Sequence, residues 1–65
     1  MIKTVVRFPN DMVMVFDEKG EQIPKCQGQY EDVKGGILKD APLSAEFGHD
    51  YNDQGELNTV PREEW

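Results

Sequence analysis

Sixty-five residues make one domain, close to the lower size at which an apolar core alone can hold a fold. With 37% hydrophobic residues, 31% charged residues and a net charge of −6, the chain presents a surface that repels phosphate backbones and anionic lipid heads, which argues against direct nucleic-acid or membrane binding. The single cysteine, Cys26, rules out an internal disulfide, and no run approaches the roughly 18 apolar residues that span a bilayer, so a cytoplasmic protein is the expectation.

The opening "MIKTVVRFPND" is too short and too broken by Arg7 and Pro9 for a signal peptide. Its β-branched stretch "IKTVVRF", residues 2 to 8, predicts a half-buried strand with Ile2, Thr4, Val6 and Phe8 on one face and Lys3, Val5 and Arg7 on the other. "PND" turns the chain. "MVMVF", residues 12 to 16, is apolar without alternation, the pattern of a central strand covered on both faces, which periodicity alone does not separate from a buried helical turn. "DEKG", residues 17 to 20, fits a type I turn with Gly20 left-handed at a bulge, and "EQIPKC" returns as a short strand that Pro24 stops.

From residue 29 to 41 the period changes. Tyr30, Val33, Ile37, Leu38 and Ala41 form one helical stripe, with Glu31 and Asp32 in the first turn, Lys39 near the end and Pro42 beyond it. Gly35 and Gly36 fall in the middle of this helix, either to let it lie close to the sheet or as a hinge. "SAEFGHDY" alternates like a strand, "NDQG" turns, "ELNTV" returns, and "PREEW" reads as a polar tail. The expected architecture is α+β: a small antiparallel sheet led by a hairpin, with the 29–41 helix on one face. Residues 1 to 60 form the domain and 61 to 65 the tail. Val6, Phe8, Met14, Phe16, Tyr30, Val33, Ile37, Leu38 and Phe47 are expected in the core.

Few residues carry recognisable chemistry. "VMVFDEKG" has the strand, Asp-x-x-Gly order of magnesium sites in nucleotide hydrolases, but the chain lacks the phosphate loop that such chemistry needs, so the segment reads as a hairpin. "DYNDQGELN" places Asp50, Asn52 and Gln54 at the first, third and fifth positions of a calcium loop, with Gly55 sixth. The twelfth position holds Pro61 where a bidentate Glu is required, and the flanks are strand-like, so calcium is a minor alternative to a plain turn. His49 is the sole histidine, and neither a nucleophile nor a second metal ligand stands at motif spacing from it.

The stretch "MVMVFDEKGEQIPKCQGQYEDVKGGILKDAP" resembles a group of short uncharacterised bacterial proteins found in gut Firmicutes and their mobile elements, over about residues 1 to 47. The resemblance implies a bacterial, cytoplasmic accessory role, and it transfers no cofactor and no site residue.

Charge is uneven along the chain. Beyond Ala45, Glu46, Asp50, Asp53, Glu56, Glu63 and Glu64 stand against Arg62 alone. The functional expectation is therefore a small acidic module without catalysis or cofactor that binds another protein through Asp50, Asp53, Glu56, Glu63, Glu64 and Trp65, the aromatic serving as a contact anchor or, equally well, covering the core or hanging free. One alternative is an acidic inhibitor that imitates nucleic acid to occupy a DNA-binding protein. Another, of a different class, is a small enzyme using Cys26, His49 and Asp50. Self-association through an uncovered sheet edge is a further expectation for so small a core.

Overall fold

Val5, Val13 and Val15 have no exposed surface, and the fold is organised around them. The structure is a computed structural model that describes residues 1 to 65. Five strands, β1 (Ile2–Arg7), β2 (Met12–Asp17), β3 (Gly28–Gln29), β4 (Glu46–Tyr51) and β5 (Leu57–Val60), form one sheet in the order β3-β2-β1-β4-β5. One helix, α1 (Tyr30–Asp40), crosses one face. This is the α+β class that the sequence predicts. The sheet is mixed, however, because β4 lies parallel to β1 while the other pairs are antiparallel. A parallel neighbour needs a crossover connection, and α1 supplies it.

The core faces the helix. Ile2, Val5, Val13, Val15, Phe47 and Trp65 pack with Ile37 and Ala41 of the helical segment, and Tyr30 and Val33 lie against this cluster. Three residues expected in the core, Phe8, Met14 and Phe16, are instead only half-buried and lie by strand alternation on the opposite face. Val6 is fully buried, yet it too belongs to that opposite face. The physical reason lies in β2, which is apolar at every position from Met12 to Phe16, so alternation could not choose a face. A register break between Ile2 and Thr4 also moves Ile2 onto the side of Val5. Leu38 is 38% exposed because it sits about 100° round the helix from Ile37, past the edge of the buried stripe.

Helix α1 runs unbroken through Gly35 and Gly36, and a Cβ placed on either would meet no atom within 4 Å. Close packing on the sheet is therefore not what these glycines serve. The expected return strand after Gly20 shrinks to a single bridge between Phe16 and Gln22, because Pro24 starts a 3-10 turn over Pro24–Cys26. The third strand forms only at Gly28 and Gln29.

Residues 61 to 65, expected as a polar tail, fold back onto the core. After the 3-10 turn Arg62–Glu64, Trp65 is 3% exposed and meets the rings of Tyr30 and Phe47 edge-on, each with centroids 5.1 Å away. Arg62 donates to the carbonyls of Leu38 and Pro42, clamping this turn to the end of the helix. Trp65 is thus a core residue and does not offer its ring to a partner.

Candidate functional site

With α1 on one side, the sheet leaves its second face uncovered. Register places Met14, Val6, Gly48 and Thr59 in one row across four strands, and alternation adds Met12 and Phe16 from β2. Gly48 is required here by close approach, since a Cβ would come within 2.5 Å of the Leu57 side chain, which lies over the glycine. At one end Phe8 and Tyr51 meet with ring centroids 6.2 Å apart. Met12 and Tyr51 are 37% and 39% exposed, while Phe8, Met14, Phe16 and Leu57 are half-buried with no second layer above them. Strands of six, six, two, six and four residues at about 3.3 Å each, spaced about 4.8 Å apart, give the whole face a footprint on the order of 400 Å², part of it polar at Thr4, Glu46 and Thr59. The molecule measures 29 × 25 × 22 Å, so the face takes up most of one side.

Acidic groups border this apolar surface. Asp17 and Glu18 join Phe16, Tyr51, Thr4, Gly20 and Lys3 around a shallow cavity of about 380 Å³. Glu46, paired with Thr4, projects by alternation to the same side. The Asp17 carboxyl is held below its ordinary pKa of 3.8, first by the backbone N–H of Glu21 and then by that of Lys19, both donating to Oδ1 at 2.9 Å. Asp17 therefore keeps its charge further into acid than a free carboxylate does.

A second concavity, of about 290 Å³, lies at the carboxyl ends of the parallel pair β1 and β4, where Arg7 stands beside His49. Asp11 and Asp50 also line it, and both have left-handed backbone, at φ 65° and 62°. Arg7 is largely committed. Its Nε and one terminal nitrogen reach Asp11 Oδ1 at 3.0 and 2.9 Å, the other terminal nitrogen donates to the Trp65 carbonyl at 3.1 Å, and the guanidinium stacks 3.5 Å from the Tyr30 ring centre. Asp50 Oδ1 accepts the N–H of Tyr51 at 2.8 Å. The cleft thus brings His49 and Asp50 together with a neutralised Arg7–Asp11 pair. Cys26 lines other cavities, with Lys25 and Asp40, so the thiol and the imidazole share no site.

The remaining acidic positions are scattered. Asp53 and Glu56 sit exposed in the β4–β5 turn, and Glu63 and Glu64 lie exposed on the carboxyl-terminal 3-10 turn. The stretch likened to a calcium loop is a hairpin turn between two strands. Asn52 Oδ1 accepts the N–H groups of Gln54 and Glu56 at 2.9 Å, and Gly55 is left-handed at φ 79°. No group of three His, Cys, Asp or Glu side chains is placed to hold a metal ion.

Sequence reasoning missed that this turn repeats an earlier one. "DEKGE" at 17–21 and "NDQGE" at 52–56 share their hydrogen bonds. The first N–H reaches the fifth carbonyl at 2.8 Å, the fourth N–H reaches the first carbonyl at 3.0 Å, and the first side-chain oxygen takes the third and fifth N–H groups. An aromatic precedes each, Phe16 and Tyr51. The signal was present as Asp/Asn-x-x-Gly-Glu after an aromatic residue, too short to stand out as a repeat.

No protein-family model, curated protein or solved structure matches the chain. No helix is long and apolar enough to cross a membrane.

Proposed function

We propose that this protein is a non-catalytic, cytoplasmic interaction module that docks another protein on its open sheet face. The observation that carries the reading is a five-stranded sheet layered by a helix on one side only, with methionine, phenylalanine and tyrosine side chains on the other. Contiguous apolar surface of several hundred Å² rimmed by polar groups is the usual mark of a docking site. A face on the order of 400 Å² is about half of what each partner gives to a standard interface, so the complex belongs to the small, exchanging class unless the partner also engages the rim.

Charge selects the kind of partner. Asp17, Glu18 and Glu46 stand against Lys3 and the Met1 amino group at this border, which leaves it net negative, and the whole chain carries −6, so a partner with cationic groups around an apolar centre is favoured. A second copy would set the same carboxylates against one another, which weighs against face-to-face self-association. The cleft holding His49 and Asp50 supplies a proton-exchanging group but no nucleophile, which leaves the enzymatic alternative with less to stand on.

The test uses capture from a bacterial lysate by the immobilised protein. Met12→Glu and Tyr51→Ser alter the two most exposed side chains of the face, and Lys39→Ala alters the exposed side of α1. Capture that survives Lys39→Ala, is lost with the other two and weakens with salt supports the reading. Capture indifferent to Met12 and Tyr51 removes the open face from the account.

A further inference from the structure

Resting on that reading, we infer that the occupant of the open face is a basic amphipathic helix presented by the partner. Segment Met12–Phe16 is apolar at all five positions, the pattern of a strand layered on both faces, yet this chain provides a layer for one face only. On the covered side that layer is an 11-residue helix. The open side offers a strip along β2, from Met12 through Met14 to Phe16, bordered by Phe8 and Tyr51 over the fully buried Val6, and a helix about 10 Å across spans two strands spaced about 4.8 Å apart.

The lengths of the sheet edges weigh against the other common occupant, an added strand. The sheet edges are β3, two residues long, and β5, four residues long and closed by Pro61. Edges so short give a pairing strand few hydrogen bonds. Side chains of the open face, not edge backbone, are what a partner can grip.

Charge narrows the occupant further. An amphipathic helix carries its flanking residues just outside the apolar stripe, where they meet the border of the surface beneath. That border holds Asp17, Glu18 and Glu46 against Lys3 and the Met1 amino group, which pairs with Glu18 at 3.6 Å, so it keeps a net negative charge that Lys and Arg at the stripe edges complement and Glu or Asp do not. Met12, beside the edge strand, and Met14, next to the central strand, add unbranched side chains that adjust to different apolar knobs, which suits recognition of a pattern of residues above any single sequence.

The experiment titrates three synthetic peptides into the isotope-labelled full-length protein and follows backbone amide shifts. Each peptide has about 14 residues, a helix of about 21 Å. The first places Leu at helical spacing with Lys elsewhere. The second keeps the Leu positions with Glu for Lys, and the third scrambles the first so that Leu residues share no face. The expected result is saturable binding of the first peptide alone, about tenfold or more tighter than the others, weakened by salt. Its shifts should cluster at residues 4 to 8, 12 to 16, 51 and 57, sparing 31 to 40. Equal binding of the scrambled peptide means attraction between opposite charges only, and overturns the inference. So does the absence of saturable shifts, or shifts confined to 31 to 40. Met12→Glu, checked for an unchanged far-ultraviolet spectrum, should abolish the binding. If the helical peptide fails while Met12→Glu still abolishes lysate capture, the helical occupant falls and the docking face stands. If Met12→Glu leaves lysate capture intact, the face itself falls.

Discussion

Replacing Gly35 and Gly36 with alanine should stabilise the protein, and the structure allows the gain to be worked out. Both residues lie inside a continuous helix, both are exposed, and a Cβ on either meets nothing within 4 Å, so the substitution adds no clash. What remains is the backbone term, about 0.8 to 1 kcal/mol per glycine relative to alanine in a helix interior. Adjacent positions do not face each other on a helix, so the two should add to roughly 1.6 to 2 kcal/mol. A domain of this size holds only roughly 3 to 10 kcal/mol in total, and about 4 to 8 °C of melting temperature goes with each kcal/mol, so the double variant should melt roughly 6 to 16 °C higher. Urea unfolding should show a higher midpoint with an unchanged slope. A midpoint that stays put or falls would refute the reasoning, since it would mean that the helix breaks at the glycines or needs them for something other than backbone geometry.

Gly48→Ala should do the opposite, losing about 1 to 3 kcal/mol in a urea melt, because its Cβ would lie 2.5 Å from Leu57 Cγ and 2.8 Å from the Asn58 carbonyl. Arg7→Lys should cost roughly 1 to 2 kcal/mol by the same assay despite the retained charge, since a lysine loses the stacking on Tyr30 and the forked contacts to Asp11 and Trp65. Asp17 has a folded-state pKa below 3.8, so its ionised form favours the folded protein; that contribution is complete above the ordinary value and disappears as pH falls through the lower folded one. Asp17→Ala should accordingly flatten the acid limb of the stability profile at and below pH 3.8, measured by urea melts against pH. Because Asn52 performs the same capping with an amide, Asp17→Asn should keep the turn while losing the stability that ionised Asp17 contributes, and combined with Glu18→Lys it should lower the melting temperature slightly and shift the titration's preference away from the basic helical peptide.

The helix was legible because its apolar residues recur at helical spacing and its ends carry dipole-complementing charges; the predicted span 29 to 41 encloses the observed Tyr30–Asp40. The three turns were legible for the same local reason, proline, asparagine and glycine at positions of restricted torsion. What escaped was long-range. Nothing local marks β4 as parallel to β1, because that depends on which way α1 carries the chain across the sheet. Nor could periodicity choose the covered face of β2, where methionine and phenylalanine alternate with valine and both faces look like core. The 61–65 segment departs from the polar tail for a third reason, and of the two readings of Trp65 the core-covering one holds. Four polar or helix-breaking neighbours made "PREEW" look unfolded, whereas Arg62 clamps the segment and Arg7 holds the Trp65 carbonyl. For the site, the acidity was visible and its placement was not. Glu63 and Glu64 lie on the carboxyl-terminal 3-10 turn next to the buried Trp65, while Asp17 and Glu18, which the sequence presents only as part of a hairpin turn, border the open face.

The two matching turns explain how so short a chain makes an apolar surface with an acidic border. In each, the first residue must carry a side-chain oxygen that accepts two N–H groups, which selects Asp or Asn at the end of a strand. In β2 the residue just before it, Phe16, takes the open side, and Tyr51, just before the second turn, meets Phe8 and borders the same cavity as Phe16. The glycine that follows relieves the left-handed torsion, and the polar positions between are free to be acidic because their side chains point into water. Folding alone does not require Phe16 and Tyr51 to be aromatic, since the helix-side core closes without them. That the same chemistry closes both hairpins, and brings the rings of Phe16 and Tyr51 to one cavity with the carboxylates of Asp17 and Glu18, is what an interaction surface needs and what a stability argument leaves without a reason.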